Sequence, residues 1–179
     1  MTDIESDWEG RVAAQWQRVD AIPPEEFVAA IDALAAERRE DDAAALFERA
    51  SARDTVGIES GAEKLYRAAL ATGRLDSYRA SRATIQLAST WRILGKLHES
   101  ERLLVTELER RENAGGVHAL HDELRATLAL TYVAQGRAME AAGLALLTLA
   151  PHLTRYNRSM AGNAAELIAK TSAARSRGS

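Results

Sequence analysis

Apolar positions recur at helical spacing along nearly the whole chain. Trp8, Val12, Trp16 and Val19 stand four, four and three residues apart, one stripe of an amphipathic helix over residues 4–19. Pro23 and Pro24 end it, because a residue before proline is pushed out of the α region and proline suits the first turn of the next helix. Glu25 and Glu26 then match the positive end of that second helix. Phe27, Val28, Ile31, Leu34 and Ala35 form its stripe, and the charged cluster Glu37 to Asp42 is its solvated end and the following turn.

From Ala43 a longer period takes over. Gly57, Gly95 and Gly136 lie 38 and 41 residues apart, each between two helical stretches. Seven residues before them stand Ala50, Ala88 and Ala129, and five after them Ala62, Ser100 and Ala141, all small. Four before are Arg53, Trp91 and Tyr132; nine after are Tyr66, Leu104 and Ala145. This order of small, large, hinge, small, large describes a helix-turn-helix unit that buries its apolar face only by stacking on its neighbours. Its clearest copy is LASTWRILGKLHESERLL, Leu87 to Leu104. Asn113 to Gly116 form a turn between the second and third copies, and Pro151 closes the third. Leu153, Tyr156, Met160, Ala164, Leu167 and Ile168 then give one more stripe, suited to the terminal helix that such arrays require.

The residues at these positions resemble the tetratricopeptide repeat family. Leu87, Ala88, Trp91, Gly95, Ser100 and Leu104 supply its order in one copy, and Leu128, Ala129, Tyr132, Gly136, Ala141 and Ala145 in the next. The first copy has Arg49 and Arg53 at the bulky and aromatic positions but keeps Gly57, Ala62, Tyr66 and Ala69. The stretches ALFERASARDTVG, LYRAAL, IQLASTWRILG and LAPHLTRY also resemble short stand-alone members from actinobacteria, and three lysines against twenty arginines fit a GC-rich coding bias. The resemblance implies an all-α right-handed superhelix: a helical pair in residues 1–42, about three repeats in 43–155, a capping helix over 156–173 and a flexible tail at 174–179. It also implies that the first helix of each repeat lines a concave groove and the second forms the convex back.

Composition agrees with a single helical domain. Of 179 residues 46% are hydrophobic, 27% charged and only 5% aromatic, and the three prolines fall outside the periodic stretches. There is no cysteine, which removes disulfides and thiolate metal sites. The acidic start MTDIESDWEG has no apolar leader and no apolar run approaches a membrane span, so a cytoplasmic protein without a membrane partner is expected. Residues 1–58 carry a net charge of −8 and residues 59–179 of +5, too weak an asymmetry to argue for nucleic acid.

Residues three, six, nine, ten and thirteen before each glycine are expected to face the groove. In the second copy they include Arg82, Gln86, Ser89 and Arg92, two guanidiniums with an amide and a hydroxyl between them, able to hold a carboxylate or phosphate. Opposite them in the first copy stand Glu48, Ser51 and Asp54. The alternative is that Arg82 pairs with Glu48 and Arg92 with Asp54. The third copy offers Glu123, Ala126, Thr127, Leu130 and Val133, so the groove has a polar half and an apolar half. His118 and His121 have metal-like spacing but no third ligand, and a solvated helix terminus is the reading preferred. No phosphate loop or nucleophile motif is present, and the adjacent pairs Glu25–Glu26 and Asp41–Asp42 splay apart on a helix. No metal, cofactor or enzymatic activity is expected. The function expected is a scaffold that binds a protein segment or peptide in the groove. Two other classes remain: a small-molecule-sensing regulatory module, and an adaptor that homodimerises through leftover apolar surface such as Trp8 and Trp16.

Overall fold

The computed structural model describes residues 3–116 and 118–176, and every regular element among them is helical. Two compact units divide the chain between Thr90 and Trp91. The first holds α1 (Asp3–Trp16), α2 (Pro24–Ala35), α3 (Ala43–Thr55), α4 (Glu59–Ala71) and most of α5 (Ser77–Ile93). The second holds the end of α5, then α6 (Leu97–Ala114), α7 (His121–Ala134), α8 (Ala138–Leu149) and α9 (Asn157–Ser176).

Local chemistry sets these boundaries. Pro23, extended at φ −55° and ψ 144°, precedes α2, with Pro24 in its first turn. The Asp42 side chain accepts from the Ala45 N–H at 2.9 Å and so caps α3. The Asp76 carboxylate does the same for α5, accepting from Tyr78 and Arg79 N–H at 3.0 and 2.9 Å. Two expectations are corrected. Helix α1 stops at Trp16 rather than 19, although Val19 still packs on the Phe27, Ile31 and Ala52 cluster. Helix α9 runs on to Ser176 instead of giving way to a tail at 174, because no glycine or proline interrupts residues 163–176; residues 177–179 lie outside the described part.

The three repeat glycines make one and the same turn. Gly57, Gly95 and Gly136 have φ of 78°, 75° and 76°, the left-handed region that glycine enters without strain. The N–H of the next residue in each case returns to the carbonyl five residues back: Ile58 to Arg53, Lys96 to Trp91 and Arg137 to Tyr132, all at 2.8 Å. This is the Schellman ending of a helix, and it aims the following helix back along the first. The small residues beside the turns are all interior: Ala50, Ala88, Ala129, Ala62, Ser100 and Ala141 are buried. Ala145, the third copy's residue nine after its glycine, is exposed.

In the first unit Phe27, Ile31, Phe47 and Tyr66 are fully buried, each contributing about 2 kcal/mol by removal from water. Trp16 meets Phe27 edge-on at 5.0 Å. The degenerate first copy replaces apolar packing with charge: Arg49 and Arg53 both bind Asp32 of α2, at 3.0 and 2.7 Å. In the second unit Leu104, Leu124 and Leu128 form the interior, and Ser100 and Thr131 share a buried hydroxyl pair at 3.0 Å. Gly143 of α8 lies against Ala164 and Ile168 of α9.

Candidate binding surface

The predicted groove residues of the first unit sit on α3 and α5, and the structure separates them by burial. Glu48 is only 4% exposed and Ser51 is fully buried, so these two are interior rather than open to a ligand. The sequence spacing placed them correctly on one face of α3, but other helices cover that face. Trp16 of α1 donates its indole N–H to Glu48 Oε2 at 2.8 Å. The hydroxyl of Tyr66, on α4, donates to Ser51 Oγ at 3.2 Å, and Ser51 lies 3.5 Å from Gln86 Oε1. Asp54 is half-buried, accepts from Thr90 Oγ1 at 3.0 Å and lies 3.4 Å from the Tyr66 hydroxyl oxygen.

The cation on Glu48 differs from the one expected. Arg79, not Arg82, bonds Glu48 Oε1 at 3.3 Å, and the same guanidinium binds Glu9 of α1. Arg82 instead stacks over the Phe47 ring at 5.0 Å, near enough to Glu48 to act on it through space. Arg79 stands three residues before Arg82 and so continues the Arg82, Ser89 and Arg92 spacing by one step. That signal was available in the sequence. The bond from Trp16 was not, since it joins residues 32 positions apart.

Burial pushes the Glu48 carboxyl above its ordinary value, against the opposing pull of Trp16 and Arg79. Asp54 is raised for the same reason, against Thr90 and Tyr66. Burial also raises the Tyr66 hydroxyl, with Asp54 adding to it. These groups are satisfied inside the fold. Gln86, Ser89 and Arg92 are half-buried along the same helix.

The second unit carries the apolar part. Leu130 and Val133 of α7 are 53% and 55% exposed, and Ala126 and Glu123 are exposed beside them, whereas Thr127 is buried. Thr127 therefore leaves the predicted set, its hydroxyl bonded to the Glu123 carbonyl at 2.8 Å. At the start of α7, His118 lies 3.2 Å from the Arg111 carbonyl and His152 pairs with Asp122 at 2.9 Å. Burial, then Arg125 and Arg111, hold His121 below its ordinary value. Trp8 is interior and not leftover surface. It is buried against Val12, Ala35 and Ala45 and donates to the Leu34 carbonyl at 2.8 Å, and Trp16 is half-buried against the same cluster.

Consecutive helical hairpins with identical glycine turns and small residues at each crossing define a helical repeat protein. A family model described as tetratrico peptide repeat matches residues 43–167, and the chain belongs to that family. No curated protein and no solved structure matches the chain. Repeats of this family generally mediate protein–protein interaction and are generally non-catalytic. No helix among the described residues is long and apolar enough to cross a membrane.

Proposed function

We propose that this chain is a non-catalytic cytoplasmic adaptor that takes a protein segment against the first helices of its repeats. The observation that carries this reading is the face of α7, where Leu130 and Val133 are more than half exposed while the opposite face, Leu124 and Leu128, is core. A helix apolar on two faces, one of them open, is what a recognition helix requires. Arg82, Gln86 and Ser89 in the first unit, with Arg92 further along α5, are a separate candidate for polar contacts in this reading. Glu48 and Ser51 support those contacts from beneath. Arg82→Gln with Arg92→Gln tests this: affinity capture followed by direct titration of the captured protein should lose binding while the melting temperature moves by only a few degrees. Intact binding with a large loss of stability would make the row structural and remove it from the surface.

A further inference from the structure

The open face of α7 ends in an acidic cavity, and the two together describe the partner. Ala126, Leu130, Val133 and Ala134 are exposed, and at helical spacing they share one face of α7. Leu124, Thr127, Leu128 and Thr131 occupy the buried side. The open stripe begins at Glu123, which also lines a cavity of about 470 Å³ beside the Gly115–Gly116 turn. Glu112 and Asp122 line it too, with side chains 62% and 47% exposed. The cation at its wall is spoken for: Arg111 is buried and donates to Glu107 Oε1 at 2.8 Å and to the Ala119 carbonyl at 2.7 Å. Arg125 pairs with Glu112 at 3.7 Å and His152 with Asp122 at 2.9 Å, both at partly exposed side chains, and burial holds the His121 ring below its ordinary value. Three carboxylates against one buried guanidinium make the cavity acidic on balance, and an apolar strip about 12 Å long, the rise from Ala126 to Ala134, leads away from it.

We infer that α7 docks an amphipathic helix of a partner protein, its apolar side chains covering Leu130 and Val133 and its C-terminal arginines or lysines entering the cavity at Glu112, Asp122 and Glu123. Resting on the adaptor reading above, this adds the chemistry and direction of the segment. The direction follows from electrostatics. Cations are most favourable in the last turn of a helix, and a segment whose last turn meets the start of α7 runs antiparallel to it, with opposed dipoles. The apolar stripe supplies area and the carboxylates supply selectivity and rate of encounter.

The test uses the full chain and two synthetic amphipathic peptides of about four turns, identical except for arginines or glutamates in the last turn, titrated by fluorescence anisotropy. The arginine peptide should bind at least about tenfold more tightly than the glutamate peptide, equivalent to ~1.4 kcal/mol. Leu130→Glu should weaken it by about tenfold or more, and Glu112→Gln with Glu123→Gln should reduce the preference to about twofold. These side chains are exposed, so melting curves should stay within a few degrees of the parent protein. Equal binding of both peptides, binding indifferent to Leu130→Glu, or binding of neither would overturn the inference. So would a concentration-dependent dimer abolished by Leu130→Glu, which would assign the stripe to a second copy. If a captured protein still binds through the α5 row while both peptides fail, only this inference falls; if nothing is captured either, the adaptor reading falls with it.

Discussion

Alanine at Gly143 offers a sharp test of how the second unit is packed. A Cβ built there would lie 2.7 Å from Ile168 Cγ1 and 3.1 Å from the Ala164 carbonyl oxygen. The first belongs to a β-branched side chain with one strongly favoured rotamer in a helix and the second is backbone, so neither gives way cheaply. Helices α8 and α9 would have to part by roughly half an ångström or more to restore normal contact. Replacing glycine by alanine inside a helix gains about 1 kcal/mol of propensity. Forcing an extra methyl into a filled interface costs about 1–3 kcal/mol. Because one of the two contacts is backbone, the upper end of that cost applies, for a net loss of about 2 kcal/mol and a melting temperature lower by about 4–8 °C in a chain of this size. Gly162, inside α9, provides the control, since nothing lies within 4 Å of its added Cβ. There the propensity gain stands alone, and alanine should stabilise by about 0.5–1 kcal/mol. Urea titration and thermal melts followed by circular dichroism would read both variants. If Gly143→Ala is as stable as the parent or more so, the close approach of α8 and α9 is wrong.

Gly136→Ala should cost about 1–2 kcal/mol through backbone alone, because φ is 76° and nothing lies within 4 Å of the added Cβ; asparagine there should cost less, and calorimetry would rank the three. Glu48→Gln keeps the shape and an acceptor for Trp16 but removes a buried charge. Because the folded state raises the Glu48 carboxyl, its ionisation penalises the fold as pH rises through that raised value, and the penalty fades as pH falls. The variant loses the charge partner of Arg79 at every pH, but its stability relative to the parent should improve from acid to neutral pH; a difference in melting temperature that does not change with pH would contradict this.

Much of the fold was legible because it is local. The left-handed turn needs glycine, so Gly57, Gly95 and Gly136 announced the hairpins, and the small residues at fixed offsets announced the crossings. The site was legible only in part. Spacing along α3 and α5 put Glu48, Ser51 and Arg82 on the expected faces, yet spacing along one helix says nothing of what another helix lays over it. Trp16 comes from 32 residues away to bond Glu48, and Arg79 reaches both Glu48 and Glu9, 70 residues distant. Asp32 could not be named as the partner of Arg49 and Arg53 for the same reason.

Helical periodicity, proline and glycine punctuation and the stacking requirement of a repeat are properties of short stretches, so the sequence by itself determined the class of fold, its hairpin turns and its family. Which polar residues are spent inside and which stay open depends on contacts between distant segments. Only the tertiary structure decided that Glu48 and Ser51 are interior and Trp8 is core, and that the open face of α7 leads to a cavity where Glu112, Asp122 and Glu123 meet.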